Sequence, residues 1–318
     1  MNKYLIVKRI EFAITYLCNV RCSHCYSIWG KEEFSTHINK SLARKIVRKV
    51  GRKYKPKSIM AFGGEPLLFP EIVYAIHKEA VDVGIPLREV ITNGYWSKNG
   101  DKIKEIAQNL AESGVISIII SVDAFHQEHV PLGIVRRTAE ACLQAGIEDL
   151  AWSPCWVVSE DDDNLYNRKT RSILKELEDL PVRNSGGNVM EPEGFALINM
   201  REFLPPRKKI PAGKCSDIPY TDPLDFVESI CVEPDGRIAV CKDFHIGNAS
   251  EADVIDIIEN YDPFKIPEMK AIIDGGMQGL VDWARVKGVK PDQEGYYSIC
   301  QMCTDIRRRV SKTLGGER

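Results

Sequence analysis

Short apolar runs alternate with longer amphipathic stretches through the first two thirds of the chain. Ile10 to Tyr16 predicts a strand. Ser41 to Val50 follows with apolar residues at helical spacing. Ile59 to Phe62 predicts a second strand, before a helical stretch from Pro70 to Val83 that stops near Gly84. Glu89 to Thr92 and Lys102 to Ser113 repeat the pair, with Gly114 at the position that ends helices. Val115 to Val122 is nearly all apolar, as a parallel strand covered on both faces should be. Its helix is Gly133 to Gln144, ending at Gly146. Leu150 to Val158 predicts a fifth strand interrupted by Pro154, Asn164 to Leu177 a fifth helix, and Gly194 to Asn199 a sixth strand. The rhythm is that of an α/β fold with a parallel sheet.

The rhythm breaks between Arg201 and Lys214, where Pro205, Pro206 and Pro211 read as a linker. Beyond it, Ile230 to Cys241 carries Pro234-Asp235-Gly236 between two apolar runs, the signature of a hairpin. Two domains are expected, residues 1–205 and 206–318. No internal repeat beyond the strand–helix units and no low-complexity tract is present.

Composition narrows the picture. A formal net charge of −2 over 318 residues gives no global drive toward nucleic acid or anionic membrane, so neither is an expected partner. The basic run Arg44, Lys45, Arg48, Lys49, Arg52, Lys53, Lys55 and Lys57 is interleaved with Ile46, Val47 and Val50, which reads as the solvated face of an amphipathic helix rather than a docking patch. No stretch approaches the ~20 apolar residues of a membrane span, and the first ten residues lack the apolar region of a signal peptide. A cytoplasmic location is the expectation, and there ten cysteines favour metal ligation over disulfides.

Cys18, Cys22 and Cys25 are spaced C-x3-C-x2-C. Three thiolates this close can hold three irons of a four-iron, four-sulfur cluster and leave the fourth iron open to a substrate or cofactor. Zinc or plain reduced thiols are the alternatives. Zinc needs a fourth ligand, and His24 lies inside the motif, too near in sequence to be expected to reach round to the same metal. Residues 58–66 end in Gly63, Gly64, Glu65 and Pro66. The glycines are expected to let a ligand approach the backbone, and Glu65 to accept hydrogen bonds from an amino group, although alone the segment is also an ordinary turn after a strand.

Together the two motifs resemble the radical S-adenosylmethionine (radical SAM) superfamily, whose pattern Tyr26 also fits. The resemblance implies a partial (β/α)6 TIM-like barrel with a cluster on the three cysteines. It implies that Gly63, Gly64, Glu65 and Pro66 bind the methionine amino group of SAM. The motifs fall where parallel α/β folds gather function, at the C-terminal ends of strands. Asn93 after the third strand and Ser121 and Asp123 after the fourth are expected at the ribose or carboxylate of SAM, though each is equally an ordinary turn or cap residue. Outside these motifs no residue identifies itself as a general acid or base; Asp123, His126 and Glu128 lie near the right strand end.

The last third holds Cys215, Cys231, Cys241, Cys300 and Cys303, with C-x2-C before a basic helical tail and Gly236 and Cys241 across the hairpin. This resembles the SPASM extension or its shortened twitch form, which bind auxiliary iron–sulfur clusters. Five cysteines imply one auxiliary [4Fe-4S] cluster, on Cys215, Cys241, Cys300 and Cys303. Cys231, expected nearly opposite Cys241, is the alternative ligand or a free thiol able to return a hydrogen atom. An all-thiolate zinc site is the competing reading for these four. Cys142 is expected in the core. Cys155 is expected to pack beside Trp152 and Trp156, with the cavity at its strand end as the alternative.

The chemistry implied is reductive cleavage of SAM to a 5′-deoxyadenosyl radical that abstracts a hydrogen atom from a substrate. An electron donor of ferredoxin or flavodoxin type is implied. SPASM and twitch enzymes most often modify peptides or proteins by oxidation, cross-linking or epimerisation, and that is the leading expectation. The first strand begins within about ten residues, so leader-peptide recognition is expected from a separate protein, and no N-terminal cobalamin domain is expected. The alternatives are a small-molecule step in cofactor or tetrapyrrole synthesis, and a non-catalytic iron–sulfur or zinc scaffold.

Overall fold

A computed structural model describes residues 2–27, 37–218, 221–242, 244–313 and 315. The strand–helix rhythm appears as β1 (Leu5–Ala13), α1 (Lys40–Tyr54), β2 (Ser58–Phe62), α2 (Pro70–Asp82), β3 (Leu87–Thr92), α3 (Gly100–Glu112), β4 (Ser117–Ser121), α4 (Leu132–Gln144) and β5 (Asp149–Ser153). After β5 come β6 (Cys155–Trp156), α5 (Leu165–Glu176), β7 (Arg183–Asn184), β8 (Asn188–Val189) and α6 (Ala196–Asn199). The last third adds β9 (Val227–Val232), β10 (Arg237–Cys241), β11 (Phe244–Asn248), α7 (Val254–Glu259), α8 (Pro267–Arg285) and α9 (Ile299–Thr313).

One nine-stranded sheet runs in the order β11-β10-β9-β1-β2-β3-β4-β5-β7. Strands β1 to β5 and β7 pair in parallel, giving the open (β/α)6 arrangement. Two predicted strands differ. Pro154 splits the fifth, and β6 leaves the main sheet to pair with β8, because proline has no N–H to continue the ladder. The predicted strand Gly194–Asn199 is instead the helix α6, and the sixth parallel strand is β7. Gly194 has φ +54°, and a Cβ there would stand 2.3 Å from the Tyr26 carbonyl, so the chain turns where a strand was expected.

Alternation along the strands separates two faces. Ile10, Phe12, Ile59, Ala61, Val90, Ile118, Ile120, Leu150 and Trp152 are buried, and with α1 to α4 they form the main apolar core. The opposite face is polar. Arg9 Nη1 donates to Glu89 (2.9 Å) and Arg9 Nε to Glu11 (2.7 Å), while Asp149 accepts from Ser117 Oγ (2.7 Å) and Arg183 Nε (2.6 Å). A parallel sheet filled only by side-chain packing would be apolar on both faces, so this face is built to meet something polar.

The basic residues of α1 are less free than expected. Arg44 and Arg48 bind the buried Glu79 of α2 (3.2 and 2.6 Å), Lys49 pairs with Asp253, and Lys53 with Glu259 (2.9 Å). Much of the run is an ion-paired seam joining α1 to α2 and α7. The predicted hairpin is present, with Ile238 opposite Val232 and Ala239 opposite Cys231. Strand β9 pairs in parallel with β1, placing Cys231 beside Glu11, so the last third continues the main sheet. Among the described residues no helix is long and apolar enough to cross a membrane.

Candidate metal centre

The cysteine loop leaves the end of β1 and is sewn at once to the end of β2. Ile14 N donates to Phe62 O (2.9 Å), Gly64 N to Thr15 O (2.8 Å) and Glu65 N to Leu17 O (2.8 Å). A Cβ on Gly63 would stand 2.5 Å from Thr15 O, and one on Gly64 only 2.0 Å from Leu17 O. These glycines therefore admit the protein's own backbone, where room for a ligand was expected.

Glu65 is fully buried. Its Oε1 accepts from Leu67 N (3.0 Å) and Thr92 Oγ1 (2.8 Å), and its Oε2 from Asn93 N (2.8 Å). Burial pushes its carboxyl up to about 7 against the pull of those donors. Three of roughly four acceptor positions on a carboxylate are thus used within the chain, leaving one for an amino group. Pro66 follows at the start of a 3-10 turn over Pro66–Leu68, where its missing N–H costs nothing.

Asn93 completes the stitching. Its Nδ2 donates to Asn19 Oδ1 (2.8 Å) and lies 3.8 Å from Cys18 Sγ, and Asn19 Nδ2 donates to Tyr95 O (2.8 Å). The side chain expected at a ligand also braces the cysteine loop. On the other side, Phe195 N donates to Cys25 O (2.8 Å), so the segment after Gly194 lies over the loop.

Cys22 is buried, and Cys18 and Cys25 are half-buried. Burial raises the Cys18 thiol to about 11 and Cys22 further. Thiolates so disfavoured need a cation to compensate them, and soft sulfur suits iron–sulfur clusters or zinc. Among the described residues the one trio with ligand atoms within 4.8 Å of one another is Cys22, His24 and His126; the three cysteine sulfurs stand wider. Three soft thiolates on one loop suit a four-iron cluster with an open fourth iron. His24, expected not to reach round to the same metal, does reach Cys22.

At the end of β4, Ser121 is half-buried and Asp123 fully buried. Asp123 Oδ1 accepts from Phe125 N and His126 N (both 2.9 Å); Oδ2 accepts from His126 Nδ1 (2.8 Å) and Cys155 N (3.0 Å). Burial pushes Asp123 up, but His126 and the hydrogen bonds outweigh it and hold the carboxyl at about 2. His24 stacks on Phe125 (4.5 Å between ring centroids) and meets His126 edge-on (5.0 Å). Sequence reasoning missed the partnership of Asp123 with His126, although the i, i+3 spacing after a strand end was legible.

The C-terminal cysteines sit on a 3-10 turn over Cys215–Asp217, at the end of β10 and in the first turn of α9. Cys215, Cys241 and Cys300 stand close enough for their charges to interact; burial, then Cys241, raises Cys215 to about 11, and burial, then Glu193 against Lys242, with Cys241 and Cys215 adding less, raises Cys300 to about 12. Cys303 lies buried one turn beyond Cys300. Cys231 is opposite Ala239, not Cys241, and burial, then Glu11 and Glu233, raises its thiol. Half-exposed Tyr26 has Lys242 Nζ 5.7 Å from its ring centroid, and Lys242 pairs with Glu191. Cys142 is in the core as expected. Cys155 packs against the core as expected, and burial, then the charges of Asp123, Glu191, Cys22 and Cys25, raises its thiol.

Residues 12–165 match the family model described as the Radical SAM superfamily. A stretch of 191 residues is 26% identical to a probable GTP 3′,8-cyclase of Methanococcus maripaludis, covering 55% of this chain and 60% of that protein. The putative peptide biosynthesis protein YydG of Bacillus subtilis is 25% identical over 136 residues, 42% of this chain and 41% of its own. The chain thus spans three fifths or less of the length of these relatives. Among solved structures, native anSMEcpe with bound AdoMet superposes with a TM-score of 0.54 at 15% identity, covering 96% of this chain and 97% of that one, which supports the fold.

Proposed function

From a Radical SAM domain spanning residues 12–165, we propose that this chain is an enzyme that cleaves SAM reductively and acts by hydrogen-atom abstraction on a peptide or protein. The observation that carries the reading is the Cys18–Cys22–Cys25 loop at the end of β1, fastened to the ends of β2 and β3 by Glu65 and Asn93. A four-iron cluster with SAM supplies the radical chemistry when bound.

The chain's own part is to bind and orient. Cys18, Cys22 and Cys25 would hold the cluster, with the Asn93 amide beside the Cys18 sulfur to tune it. Glu65 offers its remaining acceptor position, with Gly63, Gly64 and Pro66 fixing its place, to the methionine amino group. Tyr26, Ser121 and Asp123 are assigned to the same cofactor, half-buried Ser121 as the candidate for a ribose hydroxyl. Cys215, Cys241, Cys300 and Cys303 are assigned one auxiliary cluster, supported by the proximity of the first three, which makes residues 206–318 twitch-like. Cys231, beside Glu11 on the polar sheet face, is the candidate hydrogen donor for an epimerising outcome.

The likeness to YydG favours a peptide substrate, and the likeness to the cyclase keeps a small-molecule substrate as the second reading. Anaerobic reconstitution tests the enzyme. About eight irons per chain, from two four-iron clusters, and release of 5′-deoxyadenosine on reduction are expected. Cys22→Ala is expected to abolish that release, and retained cleavage would overturn the assignment. Mass spectrometry of a short peptide encoded beside this gene, before and after turnover, separates the two substrate classes.

A further inference from the structure

We propose that the cluster-free chain binds one divalent transition-metal ion on Cys22, His24 and His126, and that this ion excludes the cluster while it is bound. The exclusion rests on the cluster reading above, since Cys22 belongs to both sites; the ion site itself does not.

The three ligand atoms already lie within 4.8 Å of one another. A four-coordinate ion with one sulfur and two nitrogens asks for separations of about 3.5 Å, a modest side-chain adjustment away. His24 Nδ1 is a buried atom with no hydrogen-bond partner. Such orphaned nitrogens are uncommon in a folded chain and are accounted for when they have a ligand to bind. The ring that carries it is clamped between Phe125 and the edge of His126, so it enters the site ordered.

His126 is prepared in a different way. His126 Nδ1 stands 2.8 Å from Asp123 Oδ2, so with Nδ1 donating to that carboxylate Nε2 is the nitrogen left to ligate. A carboxylate behind a histidine is the outer support that metal-bound imidazoles use almost everywhere. Charge also closes: the Cys22 thiolate and the buried Asp123 carboxylate together balance a 2+ ion. One sulfur and two imidazoles select zinc-type ions over calcium or magnesium, and three protein ligands leave a fourth position for water. Binding displaces the Cys22 thiol proton to solvent, with no change of oxidation state.

The test is anaerobic titration of iron-free, fully reduced chain with Co2+, a coloured stand-in for zinc. Expected are four-coordinate ligand-field bands with thiolate-to-cobalt charge transfer, and one bound cobalt fewer per chain in His24→Ala and in His126→Ala than in the natural sequence. His126→Gln keeps a donor to Asp123 but no imidazole, and is expected to lose the same ion with its circular dichroism unchanged. Cys18→Ala is expected to retain the ion. Zinc added first should cut iron uptake at the loop by at least tenfold, restored by a chelator. Equal cobalt stoichiometry in the natural and His126→Gln chains, or loss of the ion in Cys18→Ala, overturns the proposal. Iron loading of His126→Gln is read separately: four irons at the loop there uphold the cluster reading whatever cobalt does, and their absence in the natural sequence sinks that reading alone.

Discussion

Glu65→Gln isolates the energetics of the loop anchor. Glu65 has no exposed surface, and burial raises its carboxyl from an ordinary 4.5 to about 7. A carboxyl held higher in the folded chain than in the unfolded one binds its proton more tightly when folded. Stability from this group is therefore full below about pH 4.5 and falls as pH rises toward 7. At 1.36 kcal/mol per unit, the loss is about 3 kcal/mol. Glutamine cannot ionise, so the variant should lack this slope. It also turns an amide N–H₂ toward one of the donors Leu67 N, Thr92 Oγ1 or Asn93 N, leaving a buried donor unpaired at a cost of ~1–3 kcal/mol. The measurement is urea unfolding of the cluster-free chain at intervals from pH 4 to pH 8, natural sequence minus variant. Buried His24 and His77, both lowered to about 4, contribute slopes of the opposite sign that cancel in the subtraction. The natural chain should be the more stable at pH 4.5, with its advantage shrinking or reversing by pH 8. A difference that grows with pH would refute the reasoning, because it would mean that the three donors outweigh burial.

Two further predictions follow from packing. Gly64→Ala drives a Cβ to 2.0 Å from Leu17 O, so the loop must shift. Iron bound at the loop should fall severalfold while circular dichroism stays near normal; unchanged iron content would show that the close approach is dispensable. Glu79→Gln removes a carboxylate only 2% exposed that serves both Arg44 and Arg48. Because both arginines are nearly half exposed, the expected loss is about 1–2 kcal/mol, well under that of a fully buried pair. Chemical denaturation checks it, and a neutral result would reduce the α1–α2 seam to decoration.

The strand–helix alternation was legible because parallel strands and amphipathic helices write different periods into the chain, and β2 to β5 with their helices lie where those periods placed them, whereas β1 runs Leu5–Ala13, earlier than the expected Ile10–Tyr16. Gly194–Asn199 misled because five apolar or small residues in six read equally as strand or helix. What decided was Gly194 meeting Tyr26 across the fold, a contact no local pattern encodes. At the site, the cysteine loop and the Gly-Gly-Glu-Pro segment were visible as motifs, but their relation was not. That the glycines face Thr15 and Leu17, and that Asn93 braces Cys18, depends on strand register. The pairing of Cys231 with Ala239 turns likewise on register, through the length of one hairpin turn. His24 and His126 meet only because β1 and β4 deliver their loops to the same end of the sheet.

The parallel pairing of β9 with β1 has a practical consequence for anyone dissecting this chain. Severing it at residue 205 would strip Leu5, Arg9, Ile10, Glu11 and Phe12 of their β9 neighbours and leave that edge of β1 open. An exposed row of unpaired amides and carbonyls would then run beside the very strand that launches Cys18, inviting intermolecular pairing. An excised N-terminal fragment should therefore be sticky, and its insolubility would say nothing about whether the barrel's chemistry is intact.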